Sequence, residues 1–217
     1  MKLFTQKKLL FPLALTLTEA NYKMRKHAQM KYIAAMALML TLGVATVYAQ
    51  RYPVKMGFSG TAAASAVNLQ QPSTTNSEMD IAGNGILGSF TFRGVRAITA
   101  FPQSSSTCSG PNKIALSSKA GAGVFRFQDG GLLKVNLTQG ADCIDLAAQQ
   151  GHCTLTFQIT AGTGRFKDAS GTLTLTETNV PVLTDALNNP VFFASTGEFT
   201  GTVSGVVKEA DHQDERQ

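Results

Sequence analysis

The sequence predicts an all-β fold of about eight short antiparallel strands. The first sign is alternation of apolar and polar residues, clearest in 153–160, where Cys153, Leu155 and Phe157 share one face. The second is a series of closely spaced turn signals, such as Asp129-Gly130. The third is the lack of any segment with a sustained helical stripe. Regular strands without long crossovers form antiparallel sheets, so the fold is a barrel or a sandwich.

Further alternating segments support this interpretation along the chain. They are 89–93, 132–138, 172–176 and 198–204. Two stretches between strands look like loops because they are rich in small and polar residues, namely Thr61–Asp80 and Pro102–Lys113. We therefore expect a β domain over residues 50–207, followed by a flexible charged tail over 208–217.

Residues 1–49 are predicted to be a signal peptide. A basic segment over 24–31 precedes an apolar run over 32–47, and Val47 and Ala49 occupy the −3 and −1 positions of a cleavage site. The alternative is a membrane anchor, but the run is shorter than the ~20 residues that a spanning helix needs. Met24 is the expected start, with 1–23 as an upstream extension. The protein is therefore expected to be secreted or periplasmic, with no membrane association after cleavage.

The positive charge of the chain lies almost entirely in this N-terminal segment. The whole chain carries a formal charge of +5, but residues 1–49 hold seven of the 19 basic residues and one of the 14 acidic ones. Beyond position 49 the net charge is −1. The β domain lacks the basic surface that nucleic-acid binding requires, so nucleic acid is excluded as a partner.

The chain has three cysteines, which are expected to be exported to an oxidising compartment. Since a disulfide joins two, one cysteine is left unpaired. Cys153 is in phase with the apolar face of its strand and is predicted to be a small buried residue. Cys108 and Cys143 lie in loop-like sequence, so we predict a Cys108–Cys143 disulfide. The alternative, Cys143–Cys153, would join the two arms of one hairpin.

Residues that could carry chemistry are few. Asp142, Asp145 and His152 match no known metal-ligand spacing, and no serine has an evident histidine and aspartate partner. Glu177 and Glu198 have threonine neighbours, which favours solvated positions on the polar face of a strand. Arg126 has two interpretations, pointing either to solvent or into a barrel lumen. These residues indicate no catalytic site, no metal and no cofactor.

One segment resembles a known family. Residues 159–175 are similar to the signature Gly-Gly-Thr-Gly-x-Phe-x-x-Ala-x-Gly of allene oxide cyclase and dirigent-like β-barrels, which a group of secreted bacterial proteins of unassigned function also share. Ala161 stands in place of the first glycine. The matching positions are Gly162, Thr163, Gly164, Phe166, Ala169 and Gly171. The resemblance implies a calycin-like eight-stranded antiparallel barrel with a cavity, with 197–203 as its closing strand and Phe166 as a plug beneath the turn.

Three functions are consistent with these expectations. The first is a non-catalytic barrel that binds a small hydrophobic molecule or acts as a cell-envelope component. The second, which the resemblance implies, is a cofactor-free isomerase, cyclase or dirigent-like template that works in the barrel cavity. The third is a structural, self-associating surface protein, which leaves oligomerisation open. Fold analogy alone does not decide among them.

Overall fold

The computed structural model describes residues 51–207 of the chain. The predicted signal peptide and the predicted charged tail lie outside these residues. Within them, no helix is long and apolar enough to cross a bilayer. The strands are β1 Tyr52–Ala64, β2 Thr74–Gly85, β3 Phe90–Thr99, β4 Lys113–Phe127, β5 Leu132–Asp145, β6 Gln150–Gly162, β7 Ser170–Thr184 and β8 Pro190–Ser204. A 3-10 turn, Gly164–Phe166, precedes β7.

The eight strands form a closed antiparallel barrel in chain order. Each strand pairs with its sequence neighbour, and β8 pairs with β1 from Tyr52↔Val203 to Ala63↔Phe192. The expectation of an eight-stranded antiparallel barrel is confirmed, and the sandwich alternative is wrong. The segment Gly197–Val203 is the closing strand, as predicted, because it pairs with β1 on one side and β7 on the other.

One local expectation needs correction. The predicted loop Thr61–Asp80 is shorter, because β1 continues to Ala64 and β2 begins at Thr74. Small side chains hide the alternation there, although Ala62 is buried and pairs with Met79. The Asp129-Gly130 turn is present with Gly130 at a φ of 83°, and Phe127 both donates to and accepts from the turn backbone.

One end of the lumen is filled by aromatic rings. Phe92, Phe125 and Phe199 are completely buried, with ring centroids 4.6 Å apart for the first pair and 4.8 Å for the last two. Aromatic pairs at this spacing add stabilisation beyond the area that they bury. The other buried rings at this end are Phe58, Phe90, Phe127, Phe157 and Phe166. This end of the barrel is therefore plugged.

The glycine-centred segment closes the plugged end. A Cβ atom on Gly162 would lie 2.0 Å from the carbonyl oxygen of Phe166, so a side chain there would collide with the returning backbone. Gly164 has a φ of 60°, a left-handed conformation that glycine adopts without strain. These two glycines let the chain turn back tightly, which places the buried Phe166 ring against Phe127 with centroids 4.4 Å apart.

Arg165 fastens this corner to neighbouring loops. Its guanidinium lies 4.6 Å from the centre of the Phe166 ring and forms an ion pair of 2.6 Å with Asp129. It also donates to the carbonyl of Leu87. Cation–π contact and ion pairing together hold the loops before β3, β5 and β7 over the plug.

The loop between β3 and β4 is tied to the barrel wall by a disulfide. The structure joins Cys108 in this loop to Cys143 on β5, with Cα atoms 5.5 Å apart. This is the pair favoured from the sequence. Cys153, the remaining cysteine in the described residues, is free and buried.

We expect Phe166→Ala to destabilise the barrel by about 3–5 kcal/mol, because it removes a fully buried ring and leaves a cavity beneath the corner. Phe101→Ala is the matched control, since Phe101 is 68% exposed. Urea unfolding followed by circular dichroism measures both. Equal effects of the two substitutions would show that Phe166 is not a plug.

Breaking the disulfide should lower the free energy of unfolding by about 3–4 kcal/mol, because the bond closes a loop of 35 residues in the unfolded chain. The measurement is urea unfolding with and without dithiothreitol. The control is the double variant Cys108→Ala/Cys143→Ala, whose stability should not respond to the reductant. A wild-type barrel that is equally stable when reduced would contradict the expectation.

Candidate functional site

The end of the barrel opposite the plug contains a cavity of about 620 Å³. It lies between the ends of β1, β3, β5 and β7 and the starts of β2, β4, β6 and β8. Its apolar wall includes Ile98, Leu116, Ile144 and Phe193. Volumes of this size are typical of small-molecule sites, which combine apolar walls with a few convergent polar groups.

An ion pair lies at the inner end of this cavity. Arg96 on β3 and Asp142 on β5 both line it, and Nη1 of Arg96 is 2.8 Å from each carboxylate oxygen of Asp142. The same nitrogen lies 3.2 Å from the hydroxyl of Ser118 and 3.1 Å from the sulfur of Cys153. Both charged side chains are almost fully buried, so each depends on the other for its charge to be tolerated.

Burial and neighbouring charges shift the pKa of Arg96 in opposite directions. Removal from water by itself lowers the pKa of the guanidinium, but the acidic groups around it outweigh this and raise the pKa above its ordinary value. Arg96 is therefore a permanent cation in the lumen.

Cys153 sits beside this cation as a neutral thiol. Burial raises its pKa well above the ordinary value, and this effect exceeds the opposing influence of Arg96. The prediction that Cys153 is a small buried residue is confirmed. A buried thiol of this kind is a poor nucleophile, because the thiolate is the reactive form.

Glu177 belongs to the same layer, which corrects the expectation from the sequence. We expected a solvated position, yet Glu177 is only 4% exposed and pairs in register with Cys153. It follows Leu173 and Leu175 at the same spacing, and both are fully buried in the lumen. The threonines around it point outward, so they belong to the opposite face of the strand.

Neither carboxyl oxygen of Glu177 has a hydrogen-bond partner among the described protein atoms. The next lumen-facing residue of β7, toward the open end, is Asn179, which lines the cavity and accepts a hydrogen bond from Ser195. Glu177 therefore lies just below the cavity wall. We call Arg96, Asp142, Cys153 and Glu177 the charged layer.

The other candidates from the sequence lie elsewhere. His152 is exposed, 3.3 Å from the hydroxyl of Thr178, and Asp145 accepts from the backbone of Ala147 and Ala148 in the β5–β6 turn. Since Asp142 pairs with Arg96 instead, these three residues do not converge. Within residues 51–207 no group of three potential ligands is placed to hold a metal ion.

Two further charged residues lie on the outer surface. Arg126 is exposed, so its side chain points to solvent and not into the barrel lumen. Glu198 forms an ion pair of 3.4 Å with Lys55 and keeps substantial exposure, as expected for a solvated strand residue.

Comparison with known proteins gives structural matches only. No family model matches the chain, and neither does any curated protein. Among solved structures it matches the pterocarpan synthase dirigent protein PsPTS1, at 14% identity over 74% of this chain and 97% of that one, with a TM-score of 0.38. It also matches the pterocarpan synthase dirigent protein GePTS1, at 11% identity over 75% and 89% of the two chains, with the same TM-score. Both of these solved structures are dirigent proteins. The barrel itself is established by the strand pairing of this chain.

Replacing Asp142 should be costly. Asp142→Asn leaves the buried Arg96 without its counter-charge, and we expect a loss of about 3–5 kcal/mol in the free energy of unfolding. Asp80→Asn is the matched control, because Asp80 forms a surface pair with Arg93 whose side chains are 56% and 80% exposed. The control should cost at most about 1 kcal/mol. Chemical denaturation of both variants measures the difference, and similar losses would show that the charged layer does not depend on this pair.

Proposed function

We propose that this protein is an exported barrel that binds a small, mainly apolar molecule in its open cavity without transforming it. The observation that carries the proposal is the division of the lumen. One end is packed with phenylalanine rings, whereas the other keeps about 620 Å³ open between apolar walls above the charged layer. A barrel needed only as a rigid scaffold would gain stability from filling both ends, since a cavity costs free energy.

Export is the second part of the proposal. A disulfide between Cys108 and Cys143 is compatible with an oxidising compartment, where such bonds persist. Together with the predicted signal peptide, this supports a secreted or periplasmic location. N-terminal sequencing of the protein recovered from culture medium or periplasm tests it, and a mature chain that begins before residue 45 would contradict cleavage near Ala49.

A second candidate is a template for cofactor-free isomerisation or cyclisation of the bound molecule. The observation in its favour is the pair of carboxyl groups at the base of the cavity, Asp142 and Glu177, because buried carboxyl groups can transfer protons. The binder is preferred because Asp142 is engaged by Arg96 and the neighbouring thiol of Cys153 is neutral. Recovery of an altered ligand after incubation with the protein would support the template instead.

Filling the cavity should weaken binding. Ile144 lines the cavity and is half-buried, so Ile144→Trp places an indole in the binding volume. We expect at least a tenfold loss of affinity, about 1.4 kcal/mol, for a solvatochromic apolar dye in a fluorescence titration. The matched control is Ile86→Trp, because Ile86 is exposed in the loop before β3.

The chain contains no native tryptophan, so each introduced indole also reports on the dye by energy transfer. Equal dye affinity in the two variants would overturn the cavity as the binding site. Native mass spectrometry of the protein purified from its own secretions provides an independent test, since a cavity binder is expected to retain a small hydrophobic molecule.

A further inference from the structure

The most exposed apolar side chains of the barrel lie at its open end. Within residues 51–207, eight large apolar side chains are more than half exposed, and six of them belong to the connections around the cavity mouth or to the strand end that leads into one. These six, which we call the apolar rim, are Val67, Phe101, Leu146, Val182, Leu183 and Leu187. Single exposed apolar residues are ordinary on a protein surface, but a group of them around one opening marks a site of interaction.

The apolar rim surrounds the cavity mouth. The β1–β2 loop contributes Val67, the β3–β4 loop contributes Phe101, and the β5–β6 turn contributes Leu146. The other three belong to the β7–β8 hairpin, where Leu187 at the tip is 81% exposed. These four connections enclose the open end of the closed barrel, so each side of the mouth carries at least one rim residue.

The four connections that carry the rim are almost uncharged. Their residues are 65–73, 100–112, 146–149 and 185–189. The only charged residue in their sequence is Asp185. Its carboxylate accepts hydrogen bonds from the backbone N–H groups of Leu187 and Asn189 within the same turn. Lys113 and Asp145, where β4 begins and β5 ends, have opposite charges and pair in register. The rim therefore presents apolar and neutral polar groups with no cluster of charge.

The plugged end has the opposite character. Its three connections, residues 86–89, 128–131 and 163–169, contain fewer residues but include Asp129, Arg165, Lys167 and Asp168. Removing a charge from water costs far more free energy than removing an apolar or neutral polar group. The open end is thus the part of the barrel that leaves water at the lowest cost.

We infer that the open end docks on the surface of a neutral lipid bilayer, with the apolar rim inserted among the lipids and the cavity mouth facing them. The docking follows from the rim itself. Entry of the cavity ligand from the bilayer is the part that rests on the proposed function. The inference departs from the expectation, drawn from cleavage of residues 1–49, that no membrane association remains.

A second protein chain fits this end less well than lipid does. After its last pair with β6, Gly151↔Asn179, β7 continues for five residues, so the β7–β8 hairpin projects beyond the β5–β6 turn. Stable protein interfaces need close shape complementarity, whereas fluid lipid adapts to an uneven rim. The free edge of this hairpin also contains Pro181, which lacks the N–H that a strand added from another chain would need.

The charge of the rim also selects the kind of lipid. Proteins that recognise anionic membranes do so with clusters of lysine and arginine next to the lipid. The four connections of the open end contain neither residue. Binding therefore depends on the apolar area that enters the bilayer, which favours zwitterionic lipid and makes the affinity insensitive to salt.

A fluorescence experiment tests which end meets the lipid. The chain contains no tryptophan, so Leu187→Trp gives the exported protein one reporter in the rim, and Ile86→Trp gives a matched reporter at the plugged end. With phosphatidylcholine vesicles, we expect the emission of Leu187→Trp to shift to shorter wavelength and to be quenched by lipids brominated in their acyl chains. The emission of Ile86→Trp should not change. Equal responses of the two reporters would overturn the orientation.

Vesicle sedimentation tests the contribution of the rim to affinity. Phe101→Ser/Leu187→Ser should weaken binding to phosphatidylcholine vesicles by about tenfold or more, because it removes two side chains that bury apolar area in the lipid. Ile86→Ser/Val207→Ser is the matched control, since both residues are more than half exposed but lie at the plugged end, and it should bind like the wild type. All four side chains are exposed, so both variants are expected to fold, and their unfolding curves verify this.

The other outcomes identify a different occupant or a different error. If the wild-type protein does not sediment with phosphatidylcholine, or binds only anionic vesicles at low salt, the inference is wrong. If the protein instead forms a dimer that the rim variant dissociates, a second copy covers the rim and the inference is also wrong.

The dye titration without vesicles separates this inference from the proposed function. Dye bound in the cavity of a protein that ignores vesicles leaves the proposed function intact and overturns the docking. Vesicle binding by a protein whose dye affinity is the same in Ile144→Trp and Ile86→Trp leaves the docking intact, but overturns the cavity as a binding site and the entry of a ligand from the bilayer.

Discussion

Pairing of β8 with β1 closes the sheet and determines where every inward-facing side chain must go. Once β8 pairs with β1, every strand must direct alternate residues into one shared lumen, and no sheet edge is left to relieve a poor fit. The side chains that enter the lumen must either fill it or leave a cavity. At one end Phe199, on the closing strand, packs against Phe92 and Phe125 across the interior and fills the lumen.

The charged layer marks the transition between the filled end and the open end. A buried ion pair is weak evidence for stability, because apolar residues of similar volume often stabilise a core as well or better. The position of Arg96 and Asp142 is more informative than their stability, because they lie at the base of a cavity whose wall is otherwise largely apolar. In the proposed binder, this layer of fixed charge beneath an apolar volume would orient a molecule that has one polar end.

The alternation of residues was enough to predict the strands and the buried Cys153, because both depend on local period. The plug formed by Phe166 was implied by the resemblance of the glycine-centred segment. Glu177 was misplaced for a local reason. Its threonine neighbours lie on the outer face of β7 and suggest a polar environment, whereas its spacing of two residues from Leu175 places Glu177 on the inner face. The Arg96–Asp142 pair could not be found in this way, since its members lie on strands β3 and β5 and meet over the inner face of β4, which lies between them. Arg96 does, however, share the phase of Phe90 and Phe92, and this was the available signal.

The two ends of the barrel also differ in how the chain is held there. Tyr52 pairs with Val203 at the plugged end, and the backbone of Val207 donates to Arg165 there, so the described chain begins and finishes beside the phenylalanine rings. The open end is surrounded instead by hairpin loops, one of them fastened by the disulfide at Cys143. Because Cys143 directly follows Asp142, the bond that anchors this loop also restrains the backbone that carries the acid of the charged layer. The base of the cavity is thus held from outside by a covalent bond and from inside by an ion pair, which together restrain Arg96 and Asp142.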